Sequence, residues 1–298
     1  MTGRWAPSPT GEFHLGNLRT ALLAWLFARS ASTEFLWRFE DLDGAVRNDF
    51  YDFQIRDFQR IGLNWDGQIF RQSERLDLYR DGIEDLKQRG LTYRCWCTRR
   101  EIREATVAPH SHLPEGAYSG KCRHLTTKEI SENERSGRNP ALRLISEGQL
   151  IRIEDRQLGD FEGAVDDFVL CRGDQTPSYN LTVAIDDADM GVTEVVRGDD
   201  LLPSTPRQVH LFHLFGVQPP RYAHVPLVLA QSGDRLAKRD GAVTIDDRVA
   251  LGESELDVLN HLLSSLQLPN IESVDELDQI IHHFRPSALP TSPWIFDL

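Results

Sequence analysis

The first thirty residues change from a strand-like to a helix-like pattern of apolar positions. Trp5 and Ala6 indicate a short strand that ends where Pro7 and Pro9 remove backbone donors. Leu18 to Ser30 is rich in Leu and Ala at helical spacing. The pattern therefore predicts a strand, a tight turn and a buried helix.

The same alternation continues to about residue 90. Thr33 to Phe39 is a β-prone run, and amphipathic helices are predicted over Asp49 to Ile61 and Glu74 to Arg89, each closed by a glycine, Gly62 or Gly90. Because strand and helix alternate, we predict an α/β fold with a mostly parallel sheet.

From Cys95 to about Asp189 the pattern changes to short strands separated by Gly, Pro, Asp and Asn, which predicts a mainly β insertion. The predicted strands are Ala141 to Ile145, Phe168 to Cys171 and Leu181 to Ile185. The α/β pattern returns with a strand over Thr193 to Val196, a helix over Pro203 to Phe215 and a strand over Val225 to Ala230. Two amphipathic helices close the chain, Ser254 to Leu266 and Val274 to Phe284. The expected division is 1–94, 95–189, 190–245 and a short helical C-terminal segment, 246–298.

Composition narrows the class of protein. The 298 residues have ordinary apolar and charged fractions, and we find no stretch that could span a bilayer and no signal peptide. With only four Cys, a disulfide framework is not expected and we place the protein in the cytoplasm.

Charge leaves a nucleic-acid partner open. The net charge of −13 argues weakly against one. Lys87 to Arg103, however, carries six basic residues against one acidic, and further basic residues continue the trend to Arg143. A solvated, salt-bridged face remains the alternative.

The turn after the first strand carries candidate phosphate chemistry. Gly11 and Gly16 let the main chain turn and approach a ligand, and His14 and Asn17 lie at the predicted helix N-terminus, where free N–H groups meet phosphate. A second candidate is the basic, glycine-bearing stretch from Ser232 to Asp240, whose Lys238 could reach a triphosphate.

These two stretches resemble the signature motifs of one enzyme class. Pro-Ser-Pro-Thr-Gly-Glu-Phe-His-Leu-Gly-Asn (7–17) is similar to the "HIGH" motif of class I aminoacyl-tRNA synthetases, in the wording of the glutamyl subgroup, and Arg-Leu-Ala-Lys-Arg (235–239) is similar to their "KMSKS" loop. Residues 39–43, 179–181 and 196–202 also match sequence motifs of the glutamyl subgroup, and they occur in the same order along the chain. Ala237 departs from the usual serine.

The resemblance implies a Rossmann-like catalytic domain that uses ATP, with Mg²⁺, to activate glutamate. It implies the following roles: catalytic, His14 and Lys238; ATP-binding, His14, Gly16, Asn17, Arg235 and Lys238; glutamate-binding, Arg4, Ser8, Glu40, Tyr179 and Arg197. A glutamate site needs an arginine with paired donors for a carboxylate and an acid for the ammonium, which this set contains. Taken singly, Arg197 and Glu40 could instead form an intramolecular salt bridge, and Tyr179 could belong to the core edge.

Length separates branches of this family. Only 60 residues follow Lys238, fewer than the anticodon-binding region of full glutamyl-tRNA synthetases requires. The chain is therefore expected to resemble the truncated branch, the glutamyl-Q tRNA(Asp) synthetases, which activate glutamate without tRNA and attach it to queuosine in the anticodon of tRNA(Asp). We expect a monomer. The alternatives are charging of tRNA(Glu), a different "HxGH" nucleotidyltransferase, and an RNA-binding protein without catalytic activity.

Cysteines in the insertion suggest a metal. Cys95, Cys97 and Cys122 form a Cys-x-Cys pair and a third thiol, and three thiolates suit one structural Zn²⁺. The fourth ligand is open from chemistry alone among Tyr118, His110, His112 and His124, and the resemblance favours Tyr118. Unliganded buried thiols are the alternative, and Cys171 is expected to belong to the core.

Overall fold

The computed structural model describes residues 2–98, 100–102, 117–236, 241 and 243–297. Its α-helices are α1 (Leu15–Ser30), α2 (Asp49–Arg60), α3 (Leu76–Gln88), α4 (Thr127–Arg135), α5 (Tyr179–Asp189), α6 (Thr205–Leu214), α7 (Ile245–Ala250), α8 (Glu255–Ser265) and α9 (Leu277–Ile280). Its strands are β1 (Thr2–Trp5), β2 (Glu34–Phe39), β3 (Ile69–Arg71), β4 (Thr92–Cys95), β5 (Ala141–Leu144), β6 (Leu150–Asp155), β7 (Gly159–Ala164), β8 (Val169–Cys171), β9 (Glu194–Gly198), β10 (Arg221–Val225), β11 (Val228–Leu229) and β12 (Trp294–Ile295). No helix in the described ranges is both long enough and apolar enough to cross a bilayer.

Parallel strands form the centre of the molecule, as the sequence predicts. β1 pairs with β2 and β2 with β3, and β9 pairs separately with β10, all in parallel. β9 lies beside β1, where the backbone N–H of Thr193 donates to the carbonyl of Thr2 at 2.9 Å. The chain therefore leaves β1 in one direction through β2 and β3 and returns to its other side with β9. In open α/β sheets such a reversal makes a crevice at the carboxyl ends of the strands.

Helix α1 packs in the middle of the larger apolar core. Most of its residues are buried, including Leu22, Trp25 and Phe27, which share one core cluster with β2, β10 and α8. A helix that is apolar on nearly all sides must be covered on nearly all sides. It begins at Leu15, three residues before the predicted start. His14 and Asn17, which the prediction places just before the helix, instead form the N-cap and part of the first helical turn.

The segment predicted to be an insertion contains antiparallel strand pairs, but one of its predicted strands is wrong. β4, β5 and β8 form one antiparallel sheet, and β6 and β7 form a hairpin. The predicted strand Leu181 to Ile185 is instead the middle of helix α5, in which residues 181–187 are all buried. A short apolar run that is buried on every side has no periodicity that separates strand from helix, so β-branched composition misled the prediction.

The C-terminal part agrees with the prediction over α8 and departs from it later. The predicted helix Val274 to Phe284 is a 3₁₀ turn at Val274–Glu276 followed by the single α-helical turn α9. The predicted strand Val225 to Ala230 is divided between the end of β10 and β11, on either side of Pro226. Pro226 has no N–H to continue a ladder.

Candidate active site

The N-terminus of α1 is closed by a histidine. His14 is the N-cap, its Nδ1 accepts from the backbone N–H of Asn17 at 3.3 Å, and the Asn17 side chain accepts from the His14 backbone at 3.1 Å. Because Nδ1 is an acceptor, the ring carries its proton on Nε2. Burial lowers the pKa of His14, which keeps the ring neutral and leaves Nε2–H as a hydrogen-bond donor.

Gly16 is required by the position of that ring. A Cβ on Gly16 would lie 2.9 Å from two atoms of the His14 imidazole and 3.4 Å from Val228. A side chain at this position would therefore push the imidazole off the helix end. The glycine of the motif thus serves the placement of the histidine.

A cavity of about 1060 Å³ opens at the carboxyl ends of β1 and β9. It brings together nine of the residues predicted from sequence, namely Arg4, Ser8, His14, Gly16, Asn17, Glu40, Tyr179, Arg197 and Arg235. Lys238 lies outside the described residues. Typical small-molecule sites measure about 300–1,000 Å³, so this cavity has room for two reactants side by side.

One wall of the cavity is a buried ion cluster. Arg38 pairs with Asp187 at 2.7 Å and with Glu40 at 3.1 Å, and the Nε of Arg4 lies 3.6 Å from the same Asp187 carboxylate. Burial raises the pKa of Glu40 above its usual value, against the opposing effect of Arg38 and Arg4. Arg4 and Glu40 are therefore held in fixed positions at the cavity edge by partners behind them.

Sequence reasoning missed those partners. Arg38 is fully buried and also lies 3.4 Å from Asp186, which accepts hydrogen bonds from Gln72 and Tyr79. A pair of acids inside the apolar run of α5 is the signal that could have indicated a buried cation opposite. Because residues 181–185 were predicted to be a strand, the two acids were not recognised as part of a buried helix.

Arg197 forms the other wall and has a different environment. Its guanidinium donates to His224 Nε2 at 3.1 Å, Gln208 Oε1 at 2.8 Å and Thr205 Oγ1 at 2.8 Å. Over the described part of the chain, no carboxylate lies within 4.0 Å of this guanidinium, although Arg197 is only 4% exposed. A buried cation without a carboxylate partner can interact strongly with a ligand carboxylate.

Two further predicted residues complete the rim. Tyr179 begins α5, is 37% exposed and lines the cavity. Arg235 pairs with Asp200 at 2.8 Å, which joins the start of the predicted lysine loop to the segment after β9.

The predicted metal ligands meet in one cluster. The sulfur atoms of Cys95, Cys97 and Cys122 all lie within 4.8 Å of one another, and the Tyr118 hydroxyl lies 3.4 Å from the first two. In tetrahedral zinc, Zn–S bonds of about 2.3 Å and a Zn–O bond of about 2.0 Å separate neighbouring ligands by about 3.5–3.8 Å. The donor set therefore fits a zinc ion bound by three thiolates and a phenolic oxygen.

The alternatives for the fourth ligand differ in position. His124 is exposed and does not belong to the cluster found among the described residues, while His110 and His112 lie outside those residues. Cys171 is buried in β8 away from the cluster, in agreement with a core role.

Comparison with known proteins gives a consistent result. The family described as tRNA synthetases class I (E and Q), catalytic domain, matches residues 1–298. Four curated proteins named glutamyl-Q tRNA(Asp) synthetase are 41–52% identical to the chain. The one from Nocardia farcinica is 52% identical over 98% of this chain and 92% of its own length.

The glutamate–tRNA ligases match over a smaller share of their own length. A glutamate–tRNA ligase from Alkalilimnicola ehrlichii is 38% identical over 94% of this chain and 60% of its own. A crystal structure of a glutamate tRNA ligase from Elizabethkingia meningosepticum, in complex with its amino acid, superposes with a TM-score of 0.82 and 26% identity, covering 100% of this chain and 67% of that one.

Proposed function

Because the chain belongs to the class I tRNA synthetases for glutamate and glutamine, we propose that it activates glutamate with ATP, without tRNA, and transfers it to queuosine in the anticodon of tRNA(Asp). The observation that supports activation is the position of Arg197, which is buried without a carboxylate partner among the described residues and lies in one cavity with the capped N-terminus of α1. The names of the four relatives support the acceptor.

The glutamate end of the cavity uses charges of both signs. Arg197 and Arg4 bind the two carboxylates of the substrate, and Glu40 accepts from its ammonium. Ser8 and Tyr179 line the same end and offer hydroxyl groups. Bound in this way, the α-carboxylate is held towards the nucleotide rather than being left free to rotate.

The nucleotide end of the cavity presents hydrogen-bond donors and positive charges to the phosphates. Gly16 and Asn17 of the first turn of α1 face the triphosphate, and His14 donates Nε2–H to a phosphate oxygen. Arg235 and Lys238 approach from the loop on the other side, and Mg²⁺ accompanies ATP. The α-carboxylate attacks the α-phosphorus in line, its oxygen forming the new bond as pyrophosphate leaves, which gives glutamyl-adenylate.

The second step passes the acyl group on. A hydroxyl of the modified tRNA nucleoside attacks the activated carbonyl carbon, and AMP leaves with the bonding electrons. Cys95, Cys97, Tyr118 and Cys122 would hold one zinc ion that braces the fold of the insertion, and no step of the reaction uses it.

The test is an acylation assay with two substrates. We expect ¹⁴C-glutamate to be transferred to queuosine-containing tRNA(Asp) and not to tRNA(Glu), and we expect glutamate-dependent ATP–pyrophosphate exchange in the absence of any tRNA. tRNA(Asp) that carries unmodified guanine in the anticodon is the matched control and should accept nothing. Exchange that requires tRNA would contradict the tRNA-independent step.

The second candidate is charging of tRNA(Glu). It is favoured by the similarity to glutamate–tRNA ligases in sequence and in structure. Acylation of tRNA(Glu), together with none of queuosine-containing tRNA(Asp), would establish this candidate in place of the first.

A further inference from the structure

A buried chain of hydrogen bonds leads from Arg197 away from the cavity. The Nε–H of Arg197 donates to His224 Nε2 at 3.1 Å, and His224 Nδ1 lies 2.6 Å from Asp155 Oδ2. The side chains of His224 and Asp155 have no solvent exposure. None of the sequence motifs contains either residue, and neither lines the cavity.

The direction of these bonds is fixed by chemistry. A guanidinium N–H can only donate, so His224 Nε2 must accept, and the ring proton must therefore lie on Nδ1 and point at Asp155. Burial lowers the pKa of His224 and keeps the ring neutral. Burial alone would raise the pKa of Asp155, but hydrogen bonds from His224 and from two backbone N–H groups lower it, so the carboxylate is ionised.

Asp155 itself is held asymmetrically. Its Oδ1 accepts from the backbone N–H groups of Gln157 and Leu158, at 2.9 and 3.0 Å, and Oδ2 makes the short contact with the imidazole. The backbone N–H of His224 is shared between the two oxygens, at 3.2 Å from Oδ1 and 3.1 Å from Oδ2. The carboxylate therefore presents one particular oxygen to His224, and an oxygen without a proton selects the Nδ1–H tautomer.

The other partners of Arg197 are neutral as well. Gln208 and Thr205 each accept one N–H. The Thr205 hydroxyl also lies 3.1 Å from His224 Nε2, so with the ring proton on Nδ1 the hydroxyl donates to Nε2 as well. Of the five N–H groups of a guanidinium, three are thus used within the described residues and two are left for a ligand. The negative charge of this hydrogen-bond network is on Asp155. The His224 ring separates it from the Arg197 guanidinium, so the two charges do not pair directly.

We propose that Asp155 and His224 are positioning residues that set the orientation of Arg197 for the substrate carboxylate without neutralising its charge. This inference rests on the proposed function in that Arg197 binds glutamate. Asp155 ends β6, which lies in the predicted insertion. The hydrogen bonds from Asp155 through His224 to Arg197 therefore connect that segment to the proposed amino-acid site.

Three variants of the full chain test the inference. His224→Asn keeps an amide near Nδ1 for Asp155 but has no atom that reaches Arg197, whereas His224→Gln places its amide oxygen near the position of Nε2. In Asp155→Asn, the backbone N–H groups retain the amide oxygen, so the NH₂ group faces His224 Nδ1 and reverses the tautomer. Nε2–H would then oppose the Arg197 N–H, donor against donor.

The measurements are KM for glutamate, KM for ATP and kcat in pyrophosphate exchange. For His224→Asn and Asp155→Asn we expect KM for glutamate to rise about tenfold or more, as for loss of a hydrogen bond to a charged group, with KM for ATP within about twofold. His224→Gln should restore most of the affinity. Equal glutamate KM in the Asn and Gln variants, or parallel changes in both KM values, would overturn the inference.

A second measurement does not depend on the folding of any variant. ¹⁵N chemical shifts of the His224 ring in the unaltered protein should show a protonated Nδ1 and an unprotonated Nε2 at neutral pH, and the opposite tautomer would overturn the inference. If the unaltered protein shows no glutamate-dependent exchange, the proposed function fails and this inference fails with it. If the unaltered protein shows exchange but the variants have the same KM for glutamate as the unaltered protein, the inference fails and the proposed function stands.

Discussion

Among single side chains, Arg197 combines burial with the lack of a carboxylate partner in the described residues. Arg197→Lys keeps the charge but loses the planar fork that donates to His224, Gln208 and Thr205 at once. We expect KM for glutamate to rise about tenfold or more, with KM for ATP little changed. Arg152→Lys, on the exposed face of β6, is the matched control and should leave both constants unchanged. A proportional rise of KM for glutamate and KM for ATP in Arg197→Lys would argue against a glutamate-specific role.

Glu40 gives the site a pH dependence. In the proposed function the carboxylate form accepts from the substrate ammonium, and burial raises the pKa of Glu40 above the usual 4.5. KM for glutamate should therefore rise as the pH falls, and the rise should begin at a higher pH than an exposed glutamate would give. Glu40→Gln should show a high KM that no longer has this pH dependence. A dependence that survives in Glu40→Gln belongs to another group.

The sequence motifs predicted residues that line one cavity, whereas the residues that hydrogen-bond to them from behind were not predicted. The motifs placed Arg4, His14 and Arg197 in order along the chain, and all three line one cavity. Asp155 and His224 are 69 residues apart, and their contact is set by how the hairpin of β6 and β7 packs on β10. No local pattern encodes such a contact, since it depends on tertiary packing of segments that are distant in sequence.

Among the elements, α1 and α5 show where local patterns succeed and fail. In α1 the polar cap and the glycine at its start specify a helix end regardless of the neighbours. In α5 the run Leu-Thr-Val-Ala-Ile favours a strand by composition, and its burial between other elements makes it a helix. Caps are local in origin, whereas the choice for a fully buried run is made by packing.

The cluster of Cys95, Cys97 and Cys122 is the part of the described structure that we expect to depend on a metal. Tyr118→Phe removes the phenolic oxygen that lies 3.4 Å from the sulfur atoms of Cys95 and Cys97. We expect the zinc affinity to fall about tenfold or more, measured by competition with a chromogenic chelator, and Cys122→Ser to bind zinc still more weakly. Cys171→Ser, in a buried strand outside the cluster, is the control. Unchanged affinity in Tyr118→Phe would assign the fourth position to another ligand.

For the whole molecule, the Arg38 cluster joins segments that are far apart in the chain. It connects β2 to the two acids of α5, one of which also binds Tyr79 of α3. Strand β2 and helix α5 are thus held together through one buried cation. This contact also supports Arg4 and Glu40, so stability and the geometry of the cavity depend on the same side chain.

Removing that cation should therefore be costly. Arg38→Met leaves the carboxylates of Glu40, Asp186 and Asp187 buried without their main partner, and breaking a buried ion pair costs about 3–5 kcal/mol. We expect the free energy of unfolding in urea to fall by about that amount. Arg80→Met, which breaks the exposed pair with Asp77, should cost about 1 kcal/mol or less. Equal losses in the two variants would show that the buried cluster contributes no more than a surface pair.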